Sequence, residues 1–387
     1  MTGPVGPVGP AGPVGPADLG VTDEVPALEL FFDLVFVFAI SQLTHHLAVE
    51  LSWHGAAEAL VLLIGVFGVW SYTSWGSTLP GVPRDTHQWT ILAVIVVGLL
   101  MNAGISDAFG ATPFFFVIPF LVCRIGPPLY WWTVSGELRD HYRAMVLWFS
   151  AAGLLWTAGA VAGADQRLWW WGAAAAIELG GTWLAHPVPG HRFRTADVSF
   201  SPGHMLERSR LFLLIALGEV ILATGAAVAS AGPSLSTVTT AVLTLVSTIA
   251  LWALYFGSSD RLIRERAATT SDPLRAARLA VNTQVLVFAA LIVLAVGNER
   301  AIADPTGDTT VPLLLLLFGG PALYLAVQAW YLHAVTDEVS GHRLAAIAAF
   351  AVGASVAVVL PAMVSAAIVC VTLIGLVVLL AQPRLHR

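Results

Sequence analysis

The sequence predicts an all-α, polytopic membrane protein with about twelve spanning helices, on three observations. Of the 387 residues, 57% are hydrophobic and only 11% charged, where a soluble domain carries roughly a quarter charged residues. The apolar residues gather into runs of about twenty, the length that crosses a hydrocarbon layer of ~30 Å. The arginines collect between alternate runs, as the positive-inside rule asks of cytoplasmic loops. The net charge of −6 is small, and no basic block points to a nucleic-acid partner.

Residues 1–25 open with MTGPVGPVGPAGPVGPADLG, whose five Gly-Pro-x triplets are too few for a triple helix. They have neither the basic start nor the apolar core of a signal peptide, so a disordered tail is expected. The first six runs, within residues 26–190, are 28–50, 54–76, 88–109, 112–133, 142–163 and 168–186. The second six, within 191–387, are 205–230, 235–257, 277–298, 311–333, 343–360 and 362–381. Trp131-Trp132 and Trp169-Trp170-Trp171 read as interfacial belts that support these boundaries. Only the kink or turn expected at Pro361 separates the last two runs. Cys123 and Cys370 lie far apart inside apolar runs, without metal spacing, so no disulfide framework is expected.

Arginine placement tests the count independently. All eighteen basic residues are Arg, and fifteen of them fall in the loops after runs 2, 4, 6, 8 and 10 or in the C-terminal tail. Only Arg167 and Arg300 occupy the alternate loops, and Arg124 lies within the fourth run. Both termini are therefore expected in the cytoplasm, with the chain in the cytoplasmic membrane.

The halves also echo each other. Gly126-Pro127-Pro128-Leu129-Tyr130 in the fourth run matches Gly320-Pro321-Ala322-Leu323-Tyr324 in the tenth. His141-Tyr142-Arg143 opens the fifth run and His342-Arg343 the eleventh, while Trp70 with Tyr72 echoes Trp252 with Tyr255. Matches falling in order six runs apart predict a parallel 6 + 6 duplication of the kind some transporters use.

Charged residues inside a membrane are the best functional clue, since each costs on the order of 2.5–3.5 kcal/mol at a helix centre unless it faces protein or water. Glu29 and Asp33 stand i, i+4 on one face of the first run, which continues through Phe36, Val37 and Ile40 to Thr44, with His45 at its edge. Glu29, at the boundary, also suits the bland reading of an acid complementing the helix dipole. Asp33 lies ~6 Å deeper, which favours an inward role. In the seventh run His204, Arg208, Leu211, Ile215 and Glu219 form one stripe. Glu219 lies ~18 Å beyond Glu207, near the midplane, either as a hydrogen-bonded neutral carboxyl or as a protonatable group on a pathway. Arg124, also near the midplane, must pair; Asp33, Asp107, Glu178 and Glu219 are the candidates, and a purely structural pair is the plain alternative. Asn102 adds polar capacity. Glu29, Asp33, His204 and Glu207 also have the residue types of a helix-bundle carboxylate metal site. Single H-x-x-E matches are common, however, and no metal or other cofactor is expected. The absence of phosphate-loop, dinucleotide, nucleophile-elbow and zinc-protease strings disfavours ATP-driven transport and soluble-type hydrolysis.

The string ELFFDLVFVFAISQLTHHL resembles the opening signature of the bacterial low temperature requirement protein A family. Similar, too, are Trp70-Ser71-Tyr72-Thr73 with Trp75, Ala108-Phe109-Gly110, Arg124 and HMLERSRLFLLIALGEVIL at 204–222. Departures are Gly257 where the resemblance leads one to expect Asp, and Asn282 and Gln284 in a region where a His is expected. The resemblance implies a polytopic bacterial membrane protein linked to growth in the cold, with no settled activity. Two function classes fit the residues. One is a secondary transporter or ion or proton pathway, with a charged intramembrane centre of Glu29, Asp33, Arg124, His204, Glu207, Arg208 and Glu219. The other is a membrane-embedded enzyme or lipid-handling protein whose cytoplasmic-side acids act on a lipid or isoprenoid head group. The expected partners are membrane lipids and a small solute, ion or lipid substrate.

Overall fold

A computed structural model describes residues 25–76, 83–136, 138–189, 202–257, 273–336 and 339–382. Among them the chain forms twelve α-helices and no strand. These are α1 (Ala27–Val49), α2 (Trp53–Gly76), α3 (Arg84–Ala103), α4 (Pro113–Val134), α5 (Arg139–Val161) and α6 (Ala164–Leu184). They continue as α7 (Pro202–Ala231), α8 (Leu235–Phe256), α9 (Pro273–Ala303), α10 (Val311–Thr336), α11 (Gly341–Ala357) and α12 (Ala362–Ala381). The expected disordered tail, but for residue 25, lies outside the described residues, as do Arg192, Arg194, Arg261, Arg264, Arg266, Arg384 and Arg387.

Ten of the described helices are long and apolar enough to cross a membrane, so the protein is multi-pass. The other two of the expected twelve are α6 and α11. Helix α6 has the length, but Asp165, Arg167, Glu178 and four tryptophans dilute its apolar character. Helix α11 is short, at 17 residues, because the chain turns before Pro361. The break is thus a turn rather than a kink. It packs on the α9–α10 loop, where Thr309 N–H donates to the Leu360 carbonyl at 3.1 Å and Ala362 N–H to the Gly307 carbonyl at 3.0 Å. Helices α7 and α9, at 30 and 31 residues, outrun their apolar stretches because backbone hydrogen bonding carries on through polar first turns.

Helices α1–α6 neighbour one another as α1·α2, α1·α3, α2·α3, α2·α4, α2·α6, α3·α4, α4·α5 and α5·α6. Helices α7–α12 repeat seven of these pairs displaced by six, as α7·α8, α7·α9, α8·α9, α8·α12, α9·α10, α10·α11 and α11·α12, whereas α2·α4 in the first group and α9·α12 and α10·α12 in the second have no matching close pair. The two groups meet where α1 packs on α7 and α9, and where α2 packs on α9. The Gly-Pro echoes sit differently in detail, since a Cβ on Gly126 would meet nothing within 4 Å. At Gly320 it would lie 3.0 Å from Leu294 N and 3.2 Å from Ala290 O, backbone atoms of α9.

Close approach of backbones through small residues is a main source of helix affinity in lipid, where burial of apolar surface gives no net drive. Replacing Gly320 with Leu is therefore expected to push α9 and α10 apart and destabilise the protein by about 1–3 kcal/mol. Thermal unfolding in detergent measures this, and an unchanged midpoint would contradict the close crossing.

Candidate functional site

The N-terminal turns of α1 and α7 lie side by side, and both present charge to the seam. The i, i+4 spacing of Glu29 and Asp33 turns both acids off the lipid face, so that Glu29 is 6% and Asp33 0% exposed. Arg208, on the facing stripe of α7, is also fully buried and reaches Glu29 at 3.2 Å and Asp33 at 3.3 Å. His204, one turn earlier, lies 3.0 Å from Glu29 through its Nε2. Trp70 of α2 donates its indole N–H to Asp33 at 2.7 Å. Beneath the salt bridge Asn102 of α3 donates to the Val35 carbonyl at 2.6 Å, pinning α1 to α3.

Aromatic rings wall this centre. Trp70 stacks on Phe212 of α7 at 4.5 Å, Phe212 meets Phe288 of α9 at 4.7 Å, and Phe32 and Phe36 lie 4.7 Å apart. The Arg208 guanidinium lies 5.0 Å from the Phe32 ring centroid, a cation–π contact that adds to its two ion pairs. His87 of α3, 9% exposed, stands within electrostatic reach of Glu29, His204 and Arg208, and neither ring nitrogen has a hydrogen-bond partner. Two carboxylates face one guanidinium here. With both acids ionised, the centre carries one more carboxylate than guanidinium.

Toward the C-terminal ends of α1, α7 and α9 the same three helices part around a cavity of about 500 Å³. Ile40, Ser41, Thr44 and His45 of α1, Glu219 of α7 and Glu299 of α9 line it. Thr44 is buried, its hydroxyl donating to the Ile40 carbonyl at 2.9 Å, whereas His45 is exposed. Glu219 is half-buried at the cavity wall.

Arg124 does not join Asp33 and Glu219 in one charged centre, as the sequence led one to expect. It is bound instead inside the first group of helices, to Glu178 of α6 at 2.9 Å and to the Gly68 carbonyl at 2.8 Å. Its guanidinium lies 3.8 Å from the Phe149 ring centroid and 4.4 Å from that of Tyr72, while Trp156 donates to Glu178 at 3.0 Å. Gly68 makes the room, since a Cβ there would stand 3.3 Å from both Arg124 and Glu178. Just past α6, burial holds His186 well below the usual imidazole range, with the nearby His141 and Arg124 adding to the effect, and Tyr72 OH lies 3.0 Å from its ring.

The conceived metal set is not assembled. Glu207 turns away to Arg210, and Asp33 is taken by Trp70 and Arg208. Among the described residues no three His, Cys, Asp or Glu side chains come together as metal ligands. Asp107 closes a turn, accepting the backbone N–H groups of Ala111 at 3.2 Å and Thr112 at 2.9 Å ahead of α4. Sequence reasoning gave no charge-centre role to Trp70, His87 or Glu299. For Trp70 a signal existed, because a Trp deep in a span needs an acceptor for its N–H. The other two lie near span ends, where polar residues are ordinary.

The family model for the bacterial low temperature requirement A protein (LtrA) matches residues 24–378. The chain belongs to the LtrA family. It is also similar to an uncharacterized protein of Rhizobium meliloti (strain 1021), 27% identical over 320 residues, which cover 80% of this chain and 78% of that one. No solved structure matches. The LtrA match runs from just before α1 to near the end of α12 and so takes in the α1–α7 centre, the cavity and the Arg124–Glu178 pair.

Proposed function

We propose that this LtrA protein is a secondary transporter or ion pathway linked to protons. The observation that carries the reading is the excess carboxylate of the α1–α7 centre, in line with a wide cavity on the same helices. A buried centre with one carboxylate in excess binds a proton in competition with a cation, or releases it when its ion pairs part. Glu29, His204 and His87 stand on the side nearer the helix N-termini, while Glu219 and Glu299 stand on the cavity side. Phe36 and its aromatic neighbours separate the two.

The repeated series of helix neighbours supports two six-helix halves, approximately 26–190 and 191–387, related by a rotation near 180° about the membrane normal. The α1–α7 contact then lies beside the pseudo-axis, where transporters of this build place their sites. Arginine bias supports a cytoplasmic-membrane location with both termini in the cytoplasm. Cysteines introduced beside Arg194 and Arg266 should then stay unlabelled by an impermeant reagent in intact cells. The enzyme reading draws less support, because of its acids Glu29, Asp33 and Glu207 the first two are buried and already engaged and the third pairs with Arg210.

The test is proton flux in proteoliposomes under an imposed pH gradient, followed with an internal pH-sensitive dye. Asp33→Asn and Glu219→Gln should insert and fold normally while abolishing flux. Wild-type flux in both variants would end the proposal.

A further inference from the structure

His87 is the buried titratable group that the ion pairs of the α1–α7 centre leave unused. It stands in the first turn of α3, 9% exposed, and neither of its ring nitrogens has a hydrogen-bond partner. A neutral imidazole carries one donor and one acceptor. Both being unmet in a buried ring points to a partner that no side chain supplies, of which water is the smallest. The neighbouring ring points the same way. Trp131 of α4, 1% exposed, has its centroid 6.0 Å from that of His87, and its indole N–H is likewise unpartnered. One water accepting from Trp131 and donating to His87 would satisfy an atom of each.

Packing sets the level of His87. Helices α1 and α3 are neighbours and, with the single span α2 between them in the chain, run the same way. A Cβ on Gly98 of α3 would stand 3.8 Å from the Phe36 ring of α1. His87 lies ~16 Å before Gly98 and Glu29 ~10 Å before Phe36, at 1.5 Å per residue. His87 is therefore nearer the N-terminal ends than Glu29, on the side that arginine bias favours as cytoplasmic. From there it faces Glu29 of α1 and His204 and Arg208 of α7 within electrostatic reach, yet bonds to none of them. Helices α2 and α4, which also pack on α3, present no charged group to it among the described residues.

A group that only fastens helices bonds to its neighbours, as Arg208, Trp70 and Asn102 do. A proton carrier needs its nitrogens free. We propose that His87 is the proton-transfer residue through which the α1–α7 centre exchanges protons with water on its N-terminal side. One ring nitrogen takes a proton from water. The imidazolium so formed gives the proton on its other nitrogen to a Glu29 carboxylate oxygen, directly or through one water. The N–H bond breaks as the O–H bond forms, and the imidazole is left in its other tautomer, which a half-turn of the ring restores. This role rests on the transport reading for its purpose, but its first test does not need flux.

The full chain in neutral-lipid nanodiscs would be given a rapid drop in pH and followed by time-resolved infrared spectroscopy. The carboxyl C=O band of the centre is identified by its loss in Glu29→Gln and Asp33→Asn. His87→Gln should slow the rise of that band roughly tenfold or more and leave most of its final amplitude, because the acceptors are unchanged. His87→Ala should slow it as much. Added imidazole should restore the rate in His87→Ala but not in His87→Gln, whose side chain fills the site; a packing role gives no such rescue. Either variant carries the test where the other fails to fold. An unchanged rate in either variant would overturn the proposal, as would a slowing in His87→Ala that imidazole does not relieve. So would a carboxyl band that never responds to pH in the unaltered protein. Flux separates this from the transport reading. An unaltered protein without proton flux ends that reading and leaves the infrared rates to decide His87, whereas full flux in His87→Gln ends the role of His87 alone.

Discussion

Arg208→Met should lower stability by about 3–5 kcal/mol, the usual consequence of leaving a buried charge without its partner. The loss falls on two groups at once, since Glu29 and Asp33 are 6% and 0% exposed and both contact this guanidinium. At 3.3 Å and an effective dielectric of about 20, the Asp33 contact alone corresponds to ~5 kcal/mol of Coulomb attraction before desolvation is subtracted. Methionine matches the volume but supplies neither charge nor donors. Asp33→Asn is milder, because Asn keeps an oxygen for the Trp70 N–H and leaves Arg208 its bond to Glu29; about 1–2 kcal/mol is expected. The double variant should lose less than the sum of the two, with a coupling energy within ~0.5–3 kcal/mol. Unfolding of the purified variants in detergent gives all three values. A strictly additive double variant would mean that the two residues do not form the buried pair described.

Much of this centre is legible in the sequence, for a geometric reason. Residues four apart on a helix share a face, so Glu29 with Asp33 and His204 with Arg208 make two matched stripes, and arginine placement sets α1 and α7 in the same direction. Burial of Asp33 follows from the cost of exposing it to lipid. Arg124 is not legible in the same way. Counting residues along a helix gives depth in the membrane but not lateral position, so Arg124 and Glu219 look like neighbours when they share only a level. Glu178 is among the candidate partners, yet nothing in the spacing can choose it, because the choice depends on how α4 and α6 pack around Gly68. The end of α11 shows a similar limit. Pro361 announces a break, but whether it bends or reverses the chain depends on the α9–α10 loop against which it packs.

Arg124→Leu should also destabilise by about 3–5 kcal/mol, since it leaves Glu178, 4% exposed, with only the Trp156 N–H to satisfy it in a low-dielectric interior. What distinguishes this pair from the α1–α7 centre is the expected behaviour of its double replacement. Glu178 and Arg124 face each other, with the rings of Tyr72 and Phe149 over the guanidinium and Trp156 on the carboxylate. Apolar side chains in both places can pack against those rings, and replacing a whole buried pair by hydrocarbon is often neutral or stabilising. Arg124→Leu with Glu178→Leu should therefore regain most of the stability lost in the single variant. It should also keep proton flux, because neither residue lines the cavity or touches Glu29, Asp33 or Arg208. The corresponding change at the other centre, Asp33→Asn with Arg208→Met, should fold yet carry no flux. Measuring both doubles in the same proteoliposomes separates a pair that holds helices together from one that handles a charge. Flux lost at Arg124–Glu178 and retained at Asp33–Arg208 would reverse the two assignments.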